Sequence, residues 1–175
     1  MFFSVSFNDI EIGLIISLIS VCVGILFLLL NLISGILSGI NKRKWKSNVS
    51  YYTLVKETVQ FTNDILYQKG IKYFPRYRIS HYHHKKHMGV LNGSEIVIYI
   101  KNHINVPDIV DTVLHEIAHY IQKCLNPQAF NRASSPKKNG MVDNSLEKEA
   151  CQFAEKWLEQ CMDYLLDRKI IRKGG

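Results

Sequence analysis

Twenty-nine consecutive residues, Ile12 to Ile40, carry no charge and one strongly polar side chain, Asn31. A run of that length cannot be hidden inside the 135 residues that follow it, so an ordinary soluble globule is excluded. A helix rises ~1.5 Å per residue and the hydrocarbon core is ~30 Å thick, so about 20 apolar residues suffice to cross it. A cleaved signal peptide needs a basic start and a shorter apolar core, whereas Met1 to Glu11 contains no Lys or Arg and two acids, Asp9 and Glu11. The expectation is therefore an uncleaved transmembrane helix over residues 12–40, behind a short extracytoplasmic N-terminus, residues 1–11.

Charge orients that helix. All 22 Lys and Arg follow position 41, beginning with Lys42, Arg43, Lys44 and Lys46. The positive-inside bias keeps this flank cytoplasmic. The chain reads as a single-pass membrane protein with its N-terminus out, a basic juxtamembrane linker over 41–48 with Trp45 as an interfacial anchor, and a cytoplasmic domain over 49–175. Gly13, Ser17, Ser20, Gly24 and Gly35 form a small-residue stripe with Asn31, a surface on which a second membrane helix can pack. Residues 41–175 hold 22 basic and 13 acidic side chains, a formal +9. Attraction to anionic lipid accounts for that excess. No recognition motif or aromatic–basic interleaving accompanies it, so no nucleic-acid partner is expected. Cys124, Cys151 and Cys161 are too few and too irregular for a disulfide framework and read as reduced thiols.

The domain reads as α+β. Ser47 or Asn48 can cap a helix running to about Lys69, stopped by Gly70. Ile71 to Ser80 is aromatic and β-branched but contains Pro75, which suits an edge strand. Met88 to Leu91 and Glu95 to Ile100 flank Asn92-Gly93, a two-residue hairpin turn. Pro107 opens a helix to about Leu125 with a buried stripe of Val110, Leu114, Ile117, Ala118 and Ile121. A long polar connection, Asn126 to Asp143, precedes a final helix over about Ser145 to Lys169.

The chemistry lies on the central helix, in His115-Glu116-Ile117-Ala118-His119. Imidazoles four residues apart stand one above the other and can share one tetrahedral Zn²⁺ at ~2.0–2.1 Å. Glu116 is rotated ~100° from His115, away from that pair, and can face a water on the metal. Zinc lowers the pKa of such a water towards ~7, and Glu116 can take its proton and pass it to a leaving amine. This is peptide hydrolysis without a covalent enzyme intermediate. The pattern HExxHxxGxxH is not continued after His119, so the third ligand must come from elsewhere. Glu147 and Glu149 compete. With Glu147 at 0° and ~100° per residue, Ala150, Ala154, Trp157, Leu158, Cys161 and Leu165 fall between 280° and 20° through zero, while Glu149 falls near 200°. Glu147 thus continues the apolar stripe and is the better ligand; Asn144 with Glu147 also fits a capping box.

HExxH followed by Glu147-Lys148-Glu149-Ala150-Cys151-Gln152-Phe153-Ala154 resembles the gluzincin zinc metallopeptidases, and is most similar to the "ExEAnxFA" pattern of the ImmA/IrrE-type peptidases. Ala118 stands where that family usually has Gly, and Cys151 where it has Asn. The resemblance spans about 45 residues, Val110 to Ala154. It implies a minimal zincin-like α+β domain with Zn²⁺ as cofactor, and a protein or peptide substrate cut at specific sites.

Other side chains are weaker candidates. His81, His83, His84 and His87 form a dense cluster in which two on one strand face can bind a metal, although Lys85 and Lys86 oppose a cation. His103 can face the cleft or lie in an exposed loop. Asp111, one turn before His115, can orient it or simply complement the helix dipole. The strand Glu95 to Ile100 is the expected edge for an extended substrate, and residues 126–143 the expected lid. Two readings follow. One is a membrane-anchored zinc metalloendopeptidase with His115, His119 and Glu147 on the metal and Glu116 catalytic. The other is a non-catalytic membrane-tethered adaptor whose zinc is structural.

Overall fold

The computed structural model describes residues 21, 23–31, 45–134 and 144–174. The chain divides into two compact units, residues 1–41 and 42–175. In the first, residue 21 and residues 23–31 are helical and exposed, and Asn31 Nδ2 donates to Phe27 O at 3.0 Å, within its own helix. Among the described residues no helix is long and apolar enough to cross a membrane. Of the expected span, 12–40, only residue 21 and residues 23–31 are described; the rest of it, with most of its small-residue stripe, lies outside the described residues.

The second unit is α+β. Its order is β1 (Trp45–Ser47), α1 (Tyr51–Phe61), α2 (Asn63–Gln68), β2 (Arg76–Ser80), β3 (Gly89–Asn92), β4 (Glu95–Tyr99), α3 (Val106–Leu125), α4 (Pro127–Ser134), α5 (Asn144–Asp167) and β5 (Ile171–Lys173). Helix α3 is the centre. Asn105 caps it by accepting from Asp108 N at 3.0 Å, and Pro107 sits in the first turn, where no N–H is needed. Val110, Val113, Leu114 and Ile117 are fully buried against α1, α5 and the sheet. Burying side chains of this size stabilises by roughly 1.5–3 kcal/mol each.

The single helix expected over 49–69 is two. Ser50 caps α1 by accepting from Thr53 N, because Ser47 is already in a strand. The break falls at Thr62, buried, whose hydroxyl and N–H both donate to Val59 O, at 2.7 and 3.0 Å. A side chain and a backbone group competing for one carbonyl end the helix. Gly70, at φ +75°, then turns the chain out of α2.

Strands β2, β4 and β3 form one sheet in that order, with β2 parallel and β3 antiparallel to β4. Ile71 to Ser80 contributes an edge strand, but only from Arg76, the residue after Pro75. In the hairpin Asn92 pairs with Glu95, so the turn residues are Gly93 and Ser94 rather than Asn92-Gly93. Gly93 alone has positive φ, +62°, which suits a turn that needs glycine only at its first central position.

A second, two-stranded sheet pairs β1 with β5 in antiparallel register, Trp45 opposite Lys173. Part of the stretch read as a basic linker is therefore folded into the domain. Trp45 packs against the hydrophobic core, with Lys173 Nζ 5.5 Å from its ring centre. The expected polar connection after α3 is also partly helical, as α4; residues 135–143 lie outside the described residues.

Candidate metal centre

Helix α3 presents two faces. Leu114 and Ile117 enter the core, while His115 and His119 face a cavity of about 400 Å³ bounded by β3, α4 and the start of α5. Their side chains are 23% and 12% exposed. The two Nε2 atoms are 3.1 Å apart. Glu147 comes from α5 and completes a triangle, with Oε2 3.3 Å from His115 Nε2 and Oε1 3.4 Å from His119 Nε2.

The donor set fits zinc. Four-coordinate zinc with ligands at ~2.0–2.2 Å sets neighbouring ligand atoms about 3.3 Å apart; the two Nε2 atoms stand at 3.1 Å, and the Glu147 carboxylate approaches each through a different oxygen, at 3.3 and 3.4 Å. The same three residues are the one His/Cys/Asp/Glu group among the described residues whose donor atoms converge in this way, all within 4.8 Å. His115 is held below the usual histidine range, first by burial and then by His119, with Glu147 and Asp111 opposing. It is therefore neutral at pH 7, with a lone pair to offer.

Glu147 and Glu149 part company here. Ala150, Ala154, Cys161 and Leu165 are buried on the stripe that Glu147 continues. At the open end of the helix that stripe meets the cavity rather than the core, so the Glu147 side chain is 55% exposed. Glu149 is not with the imidazoles. Its Oε2 accepts from Gln122 Nε2 at 3.1 Å. Gln122 Nε2 also donates to Leu146 O at 3.0 Å, and Gln122 Oε1 lies 2.9 Å from His119 Nδ1. Sequence reasoning missed Gln122. Its signal was position alone, three residues after His119 on the same helix face.

Glu116 also lines the cavity, beside the three donors but not among them. It is 6% exposed. Burial, and secondarily the Glu147 charge, push its pKa up to about 7, against a hydrogen bond from the Leu91 N–H. That value belongs to the metal-free site; a divalent cation held by the three donors would favour the carboxylate, the form that accepts a proton from water.

The remaining candidates fall elsewhere. Strand β4, the expected substrate edge, is central in its sheet; β3 is the edge, and residues 86–91 line the cavity. His103 neither faces the cavity nor hangs in solvent. Its Nδ1 meets Tyr99 O and its Nε2 meets Thr112 Oγ1, both at 3.0 Å, joining the end of β4 to α3. The 81–87 histidines lie in the loop after β2, not on a strand. His84 Nδ1 accepts from Lys86 N and His87 N, and Asn102 Nδ2 donates to His84 O and His87 O. That imidazole shapes a turn and has no free Nδ1 for a metal. Asp111 lines the cavity next to His115. Of the lid segment, Phe130 on α4 lines the cavity, with its ring edge-on to His119 at 6.1 Å between centres. No family model matches the chain, and comparison with curated proteins and with solved structures finds no significant match.

Proposed function

We propose that this protein is a zinc-dependent metalloendopeptidase with a zincin-like domain, tethered to a membrane through residues 12–40 with the domain on the cytoplasmic side. One observation carries the reading: the His115 and His119 Nε2 atoms, 3.1 Å apart, each lie within 3.4 Å of an oxygen of the Glu147 carboxylate, beside a buried carboxyl that is not part of the group. A purely structural site has no use for that fourth group. Bound there, zinc supplies a Lewis acid that acidifies water and polarises a carbonyl. The chain's residues do the rest. Glu116 accepts the proton of the attacking water at its carboxylate, and then donates it to the nitrogen of the departing amine. Val90, Leu91, Phe130 and Leu146 line the cavity in which that exchange takes place, and Glu116 itself is buried in its wall. The free side of β3, apart from the Leu91 N–H turned to Glu116, offers its backbone to an extended protein or peptide substrate.

The test is Glu116→Gln. Membranes from cells making the wild-type chain or this variant are compared by quantifying new protein N-termini, with zinc content measured on both purified proteins. Peptidase action requires one zinc per chain in both, and cleavage only with wild type. Identical N-termini in the two samples, with zinc bound in both, would leave the adaptor with a structural zinc as the reading.

A further inference from the structure

Gln122 does not reach the metal donors, yet it touches the rear of one and the backbone beside another. Its two ends are distinguishable by chemistry. Leu146 O and the Glu149 carboxylate can only accept, so the Gln122 –NH2 must face them, at 3.0 and 3.1 Å. The Gln122 carbonyl oxygen is then left facing His119 Nδ1 at 2.9 Å. Two acceptors cannot share that contact, so Nδ1 carries the hydrogen and Nε2 keeps its lone pair. Nε2 is the atom that faces His115 Nε2 and Glu147 Oε1.

We infer that Gln122 is the positioning residue of the metal centre. It fixes the tautomer and ring orientation of His119, holds Glu149 away from the donor set, and ties the residue before Glu147 to α3. The inference rests on the metal-centre reading above. It explains a choice that helical spacing alone leaves to a wheel diagram: Glu149 is engaged behind the site, so Glu147 is the carboxylate in front of it. Half-buried against α4 and α5, Gln122 lines the neighbouring apolar groove rather than the cavity of the donors, so it acts through His119 and not on substrate.

The experiment measures zinc affinity of the purified full chain by competition with a chromophoric chelator. Gln122→Ala is expected to lose 10–100-fold, the range found for outer partners of metal-bound histidines. The exchanged pair Gln122→Glu with Glu149→Gln reverses donor and acceptor between 122 and 149 while keeping an acceptor against His119 Nδ1. It is expected to return zinc affinity to within about threefold of wild type, although Leu146 O loses its donor as it does in Gln122→Ala. An alanine variant that binds like wild type overturns the inference, and so does an exchanged pair no better than alanine, which would mark Gln122 as a helix tie only. A wild-type chain that binds no zinc would instead overturn the metal-centre reading, and this inference with it.

Discussion

Gly89 lies directly against Glu116. A Cβ at residue 89 would stand 3.0 Å from Glu116 Cγ, 3.2 Å from Glu116 Oε1 and 2.7 Å from Thr112 Cγ2. The missing side chain lets the start of β3 close over the carboxyl, which is how the Leu91 N–H comes to donate to it. In Gly89→Ala either the strand backs away or Glu116 and Thr112 shift. Such overpacking costs about 1–3 kcal/mol. On the peptidase proposal, peptide hydrolysis should fall at least about tenfold, since small displacements of a proton-transferring group have effects of that size or larger, while zinc content stays at the wild-type value. Turnover and metal content on the same preparation check this, and full activity would show that Glu116 tolerates the shift.

Glu116 should also make the metal-free protein pH-sensitive. Its pKa in the folded protein, about 7, lies above the ordinary 4.5, so the folded state binds the proton more tightly than the unfolded one. Its contribution is fully present below pH 4.5 and is lost as pH rises through 7. The full difference is worth about 3 kcal/mol. Glu116→Gln, which stays neutral and can still accept from the Leu91 N–H, should make the metal-free protein more stable than wild type at pH 8, with the gap closing towards pH 4.5. Urea unfolding at the two pH values in a chelator measures it, and parallel curves for the two proteins would contradict it.

The two glutamates of α5 should separate cleanly. Glu147→Ala removes a donor atom and is expected to cost more than about 100-fold in zinc affinity, whereas Glu149→Ala removes a partner of Gln122 and should cost about tenfold or less. Chelator competition on both variants decides it. Equal losses would mean that the carboxylates exchange places.

What could be read from residue order was what repeats along one element. The period of α3 placed Val110, Leu114 and Ile117 inside and set His115 and His119 together on another face. The stripe of α5 pointed Glu147 and Glu149 in different directions, although not how exposed Glu147 would be, because exposure depends on where the cavity opens. What escaped depends on distant partners. Strands β1 and β5 are three residues each, far too short for an alternation signal, and exist only because residues 45–47 and 171–173 meet. Ile71 to Ser80 read correctly as an edge, but the edge beside the cavity was misplaced because β2 joins in parallel beside β4, which makes the second hairpin strand central and leaves β3 outermost. The break at Thr62 turns on one hydroxyl competing for Val59 O. Gln122 had only its place three residues after His119 to mark it, since its other two partners sit 24 and 27 residues further along the chain.

The two imidazoles are backed unequally, and this sets the last expectation. His119 Nδ1 meets an amide oxygen at 2.9 Å, whereas His115 Nδ1 meets the Cys151 thiol at 3.8 Å. Sulfur is a weak acceptor, so His115 gains little basicity or orientation from it. Cys151 is exposed, and water can replace it when the thiol is removed. Cys151→Ala should therefore cost no more than a few-fold in zinc affinity, well short of the loss expected for Gln122→Ala. Cys151→Asn places an amide oxygen at the same position and should bind zinc more tightly than wild type, because a true acceptor then holds His115 as Gln122 holds His119. Chelator competition on the two variants beside wild type measures both effects. If the alanine variant lost as much as Gln122→Ala, the thiol would be a stronger partner of His115 than its distance implies; if asparagine gave no gain, His115 would already be fixed by its neighbours on α3, Asp111 among them.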